Sequence, residues 1–287
     1  MASPTIASLI TAAAERLYLA GVADSAADAR REALQLWADL RATTPAAALL
    51  DRDRPVTSDV AAEFEGWIAR RAAGEPRAYV SGLAGFRRLV LACDRRALIP
   101  RPETEGLIDL VLSRVRTGRA ADIGTGTGCL ALSLAIEAAF TEVLAVDSSA
   151  AALALARENA RTVLGAPTHF LRGDLCEPLR PASLDALVGN PPYLTEREYA
   201  SLDGAVRDWE PATALVSGAD GLAATTRLLD DGRRVLRPGG WLALELDCTR
   251  AAETARRAVA LGWQEVVIHH DLFGRERYLL ARRSELS

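Results

Sequence analysis

Asn190-Pro191-Pro192-Tyr193 puts a carboxamide and an aromatic ring on one short loop. The loop follows an apolar run, Leu184 to Val188, that reads as a buried strand. Neither proline donates a backbone N–H, and each holds φ near about −65°. Pro191 also steers Asn190 away from helical backbone. A rigid, extended loop of this kind suits the holding of a planar NH2 group. The Asn190 oxygen accepts one N–H, and a proline carbonyl without a ladder partner accepts the other. The Tyr193 ring then lies against the plane. Taken alone, the tetrapeptide also reads as a plain Pro-Pro turn with a buried tyrosine.

A second loop changes the balance. Asp122-Ile123-Gly124-Thr125-Gly126-Thr127-Gly128-Cys129 joins a strand to a helix, and its glycines let the backbone turn tightly and approach a ligand. A phosphate-binding P-loop needs a lysine, and the chain has none. A dinucleotide loop has glycines at positions 1, 3 and 6, and position 6 counted from Gly124 is Cys129 here. Asp-x-Gly-x-Gly-x-Gly instead looks like the S-adenosylmethionine (SAM) loop of class I methyltransferases. Asp147 lies about 20 residues beyond the glycines, at the end of the next strand, where a carboxylate can accept two ribose hydroxyls. Alone, it reads equally as a helix cap. Asp174, in Gly173-Asp174-Leu175, follows the third strand and can accept from an adenine amino group. The glycine loop, Asp147, Asp174 and Asn190 each follow a strand, so in an open α/β sheet they collect at one edge.

The rest of the composition excludes other chemistries. All 34 basic residues among the 287 are arginine, so no lysine nucleophile exists. The four cysteines (Cys93, Cys129, Cys176, Cys248) form no CxxC pair and read as core residues in a reducing cytosol. His169, His269 and His270 match no metal spacing, and in the His269-His270 pair one ring is expected to face inward. A net charge of −4 argues against tight nonspecific binding to duplex nucleic acid. No basic leader precedes Arg16 and no apolar run is long enough to span a membrane, so a cytoplasmic protein is expected.

Stepping along the chain, residues 1–75 read as a small helical domain that docks substrate. Ile6, Leu9, Ile10, Ala13 and Leu17 share one helical face. Ser25 and Asp28 resemble a capping box, and Thr44-Pro45 and Ser58 start two further helices. Residues 76–100 read as a β-hairpin linker with β-prone runs at Ala78 to Val80 and Leu89 to Ala92. In Ile99-Pro100-Arg101-Pro102-Glu103-Thr104-Glu105, Thr104 reads as the cap of a helix from Glu105 to Val115. Beyond about residue 119, strands alternate with helices, which predicts an α/β fold: a doubly wound, mostly parallel sheet with an antiparallel edge made by the last two strands.

With these residues in view, the chain resembles the HemK/PrmC family of release factor glutamine N5-methyltransferases. The stretches that carry the likeness are Ile99 to Glu105, Asp122 to Gly128, Asp147, Gly173-Asp174, Asn190 to Tyr193, Glu210-Pro211, Gly218 to Leu222 and Leu236 to Gly240, together with the helical domain. The resemblance implies a class I SAM-dependent methyltransferase domain, with a seven-stranded sheet, over residues 101–287. It implies a SAM site from Asp122, Gly124, Thr125, Gly126, Thr127, Gly128, Asp147, Asp174, Leu175 and Asn190. It further implies that Asn190, Pro191, Pro192 and Tyr193 hold the glutamine of a release factor GGQ motif, with Asn190, Pro191 and Tyr193 catalytic, in a monomeric enzyme without metal. The chain departs from the family pattern at Gly189, at Asp247 to Arg250 and at Phe86-Arg87-Arg88. A paralogue acting on another protein glutamine, an N6-adenine methyltransferase and a SAM-binding protein without turnover are the other readings.

Overall fold

Thr5 starts the first helix by accepting the Ser8 N–H, while the Ser8 hydroxyl takes the Thr5 N–H in return. The chain is seen in a computed structural model that describes residues 3–163 and 168–285. These residues form two compact units. One runs to Leu83 and includes Asp203–Trp209; the other holds Ala84–Leu202 and the residues from Glu210 onward.

In the first unit, α1 (Ile6–Leu19) buries the expected five residues. Ser25 caps α2 (Ala26–Leu40), but the Asp28 carboxylate takes the Ser25 hydroxyl and not its backbone N–H. Aspartate is one methylene shorter than the glutamate of a full capping box, so only half of the box forms. Thr44 caps α3 (Pro45–Leu50). α4 (Ser58–Ala72) sets Phe64 edge-on to Trp37 of α2, with ring centroids 5.2 Å apart. Ala78 to Val80, expected to be β-prone, instead lies in α5 (Arg77–Ser81). The Pro76 carbonyl accepts the Tyr79 and Val80 N–H groups, and the Arg70 guanidinium donates to the Tyr79 and Val80 carbonyls. These bonds and the burial of all three residues override their strand propensity.

The second unit begins with a hairpin, β1 (Leu83–Phe86) and β2 (Leu89–Ala92), turned by Arg87 at φ +51°. A single 3-10 turn over Pro102–Thr104 leads into α6 (Glu105–Leu112). Then come β3 (Thr117–Ile123), α7 (Cys129–Glu137), β4 (Ala139–Asp147), α8 (Ala150–Thr162), β5 (Thr168–Arg172) and β6 (Leu184–Gly189). Two short polar helices follow, α9 (Glu196–Ala200) and α10 (Gly204–Arg207), the latter inside the segment that belongs to the first unit. Neither buries a residue, which is why hydrophobic periodicity gave no sign of them. The chain ends with α11 (Ala223–Val235), β7 (Leu236–Glu245), α12 (Ala251–Ala260), β8 (Gln264–His270) and β9 (Glu276–Arg282).

The seven strands β3 to β9 stand in the order β5-β4-β3-β6-β7-β9-β8. All neighbours are parallel except β9, which runs antiparallel to β7 and β8. Both faces are covered. Ala186 and Val188 of β6 pack with Leu107, Ile108 and Leu132 on one side, and Leu184 and Leu187 pack with Leu228, Leu229 and Trp263 on the other. The winding reverses between β3 and β6, which pair through Ile123 and Gly189. The glycine loop leaves β3 there and the Asn-Pro-Pro-Tyr loop leaves β6, so the topology sets the two loops side by side.

Candidate active site

A cavity of about 430 Å³ opens at this reversal, within the range of roughly 300–1,000 Å³ typical of small-molecule sites. Of the residues singled out in the sequence, Gly124, Thr125, Gly126, Thr127, Asp147, Asp174, Leu175, Asn190 and Pro192 line it. Asp122, Gly128, Pro191 and Tyr193 are not among its lining residues.

Asp122 sits behind the glycine loop with no solvent exposure. Its Oδ2 accepts the Thr125 hydroxyl at 2.7 Å and the Ala131 N–H at 3.1 Å, which ties the loop to the first turn of α7. Burial pushes its carboxyl up to about 7. The Gly124 and Thr125 N–H groups are spent on the Val146 carbonyl. Gly124, Gly126 and Gly128 all have positive φ. A Cβ at Gly128 would come within 3.3 Å of Ala156, so this glycine serves the packing of α7 on α8. A Cβ at Gly124 would meet nothing within 4 Å, and only the missing side chain keeps that part of the cavity open.

Asp147 ends β4, and each of its oxygens takes one N–H: Oδ2 from Gly126 and Oδ1 from Ser149, both at 2.9 Å. The carboxylate is thereby aimed, and each oxygen retains lone-pair capacity for a diol. The Asp147 carbonyl accepts the Gly173 N–H at 3.1 Å, which draws the Asp174 loop to the same edge. Asp174 does not stand alone: its Oδ2 is paired with Arg227 of α11 at 2.7 Å, and both line the cavity. Cys129 lines it too, but burial pushes its thiol up to about 12, so it offers no thiolate near neutrality.

On the other side, and contrary to the sequence expectation, Thr104 does not cap α6; its backbone is already helical and its side chain makes no cap. Its hydroxyl instead donates to Glu245 Oε2 at 2.6 Å and accepts from Asn190 Nδ2 at 3.1 Å. Glu245, the last residue of β7, is 2 % exposed. After Asn190, the chain is held by a short parallel bridge between Leu194 and Val216, and the Tyr193 and Leu194 N–H groups both reach the Leu215 carbonyl.

Glu210 closes the wall. Its buried carboxylate binds Arg101 at 2.6 Å and the Ile99 N–H at 3.0 Å, clamping the Pro100–Pro102 loop to the Glu210-Pro211 segment. Ile99, Arg101 and Pro211 all line the cavity. The departures at Asp247 to Arg250 lie outside the lining. Arg250 pairs with Glu198 of α9 and with Asp247, and donates to the Asp220 carbonyl, so it braces the chain beyond Tyr193. Gly189 also has a local cause: a Cβ there would lie 2.8 Å from the Ile123 carbonyl oxygen.

Sequence reasoning missed the roles of Thr104, Glu210, Arg227 and Glu245. Thr104 and Glu210 lay in stretches already marked by the resemblance, but each acts through a partner more than 85 residues away, which no local pattern reveals.

Known proteins place the chain in a family. A family model for the PrmC N-terminal domain matches residues 8–82, and one for the methyltransferase small domain matches residues 103–204. The chain is 42% identical over 244 residues to the release factor glutamine methyltransferase of Nitratidesulfovibrio vulgaris, covering 83% of each chain. It is 40% identical to that of Deinococcus radiodurans, covering 96% of this chain and 98% of the relative. Among solved structures, a methyltransferase from Pyrococcus furiosus superposes with a TM-score of 0.51 at 18% identity, over 68% of this chain and 88% of the other, which is a likeness of fold.

Proposed function

We propose, for a chain that belongs to the release factor glutamine methyltransferase family, that it moves a methyl group from S-adenosylmethionine to the side-chain amide nitrogen of the GGQ glutamine in a peptide chain release factor. SAM, when bound, supplies the electrophilic methyl group. The residues present fit it: Asp147 offers aimed acceptors for a ribose diol, and the bare Gly124 backbone leaves room beside it.

The supporting observation is that the glycine loop, Asp147 and Asn190 line one cavity at the sheet's switch point. An amide nitrogen is a weak nucleophile because its lone pair is delocalised. The Asn190 Oδ1 takes one of its N–H groups. The Pro191 carbonyl, to which no hydrogen bond is made among the described residues, takes the other. Tyr193, held by the Leu215 carbonyl, orients the amide plane. Such positioning contributes about 7–11 kcal/mol in favourable cases. The displaced amide proton leaves to water or through Asn190 after the methyl is gained. The enzyme is proposed to act as a monomer in the cytoplasm with no lasting hold on nucleic acid, in keeping with its net charge of −4. Among the described residues no helix is long and apolar enough to cross a membrane, and no acidic, histidine or cysteine cluster could hold a metal. The helical unit is proposed to dock the protein substrate.

The test separates chemistry from cofactor binding. Asn190→Ala should lower kcat on release factor about 100- to 1000-fold, the range for losing one aimed hydrogen-bonding group. SAM affinity by calorimetry should fall far less than kcat. Turnover near that of the unaltered enzyme would sink the assignment.

A further inference from the structure

We propose that Thr104 and Glu245 are positioning residues that fix which end of the Asn190 carboxamide faces the acceptor. The inference rests on Asn190 being the acceptor's hydrogen-bond partner.

A carboxamide is nearly symmetric in shape but opposite in polarity at its two ends. If Asn190 turned its NH2 toward the substrate amide, two donors would face each other and the acceptor nitrogen would lose its hold. Asn190 therefore needs something that selects one rotamer. The Thr104 hydroxyl has a single proton. Ionised Glu245 is acceptor-only, so that proton goes to Oε2 at 2.6 Å. The Thr104 oxygen is then left as an acceptor, and only the NH2 end of Asn190 satisfies it, at 3.1 Å. Oδ1 is thereby turned away from Thr104. Thr104 is 3 % exposed and Glu245 2 %, so water does not compete for either group. The relay joins three separate segments: the 3-10 turn before α6, the end of β6 and the end of β7.

Its polarity depends on Glu245 being ionised. A protonated Glu245 can donate to Thr104, which frees the Thr104 proton to seek Oδ1 and reverses the amide. Burial pushes Glu245 up to about 7. Thr104 and Arg277 of β9 favour the charged form, as does Arg101, while Glu103 opposes it. Tyr193, Tyr278 and Cys129 also feel its charge. With Glu245 protonated below this point and ionised above it, kcat rises as pH rises through about 7.

The experiment measures kcat, KM for intact release factor and SAM affinity for the unaltered enzyme, T104V, T104S and E245Q across pH. Methylation of release factor by the unaltered enzyme is the control; its absence would fault the proposed function and not the relay. Thr104→Val should lower kcat about 10- to 100-fold, as for other outer partners that orient a reacting group. SAM affinity should hold, and the melting temperature should fall only by the modest cost of leaving one buried hydrogen-bonding partner unsatisfied. Thr104→Ser should restore most of the rate, and Glu245→Gln should abolish the acidic limb of the kcat profile. The relay is overturned if T104V turns over normally, if T104S fails to rescue, if SAM binding falls in step with kcat, or if E245Q keeps the limb.

Discussion

Asp122 and Asp147 lie at the C-terminal ends of neighbouring strands but in opposite environments. Asp147 is half-buried and lines the cavity, with its oxygens held by the Gly126 and Ser149 N–H groups. Asp122 is sealed behind the loop, and its carboxyl is raised from 3.8 to about 7 by burial. Glu245 is raised from 4.5 to about 7 by the same cause. A carboxyl whose folded pKa lies above its unfolded value binds more protons folded than unfolded, so its contribution to stability falls as pH rises. Here the fall runs from about 4 to about 7 and then stops. Asp94 and Glu158 behave oppositely, because hydrogen bonds from Arg96 hold both below the usual carboxylate range, and their contribution fades only in stronger acid. Melting temperature should therefore peak on the acidic side of neutrality and decline toward pH 7. Asp122→Asn should flatten that decline. A melting temperature that climbs steadily from pH 4 to 7 would show that these two carboxyls are ionised when buried.

At the scale of elements, the close pairing of β3 with β6 sets what the acceptor loop can tolerate. Gly189 faces Ile123 across that pair, and a Cβ there meets a backbone oxygen that cannot move without shifting the strand. Gly189→Ser should therefore cost about 1–3 kcal/mol, read as a lower melting temperature, and should displace Asn190 enough to lower kcat. A stable, fully active serine variant would mean that β3 yields at Ile123. The elements were largely legible in the sequence where one face is buried: Ile6 to Leu17 announced α1, and Leu184 to Val188 announced β6. Legibility failed where the cause is distant. Thr104 reads locally as a helix cap, and only folding reveals that Glu245 takes its hydroxyl. Ala78 to Val80 look β-prone until the Arg70 side chain donates to the Tyr79 and Val80 carbonyls. The glycine loop, Asp147 and Asn190 were visible because each sits at a strand end and carries its own chemistry. Glu210 was not, because a buried clamp on Arg101 has no local pattern.

At the scale of the molecule, the strand order brings loops from opposite halves of the sheet to one crevice, and the Asn-Pro-Pro-Tyr loop stands beside the glycine loop. The family to which the chain belongs methylates a release factor glutamine, and Asn190 is the residue proposed to receive it. The most direct test is mass mapping of release factor after incubation with the enzyme and SAM, beside a GGQ→GGA release factor and single- and double-stranded DNA. A single added methyl on the GGQ glutamine, lost in the GGA variant and absent from DNA, is the result expected. Methyl on adenine, or on a release factor residue other than that glutamine, would contradict the account.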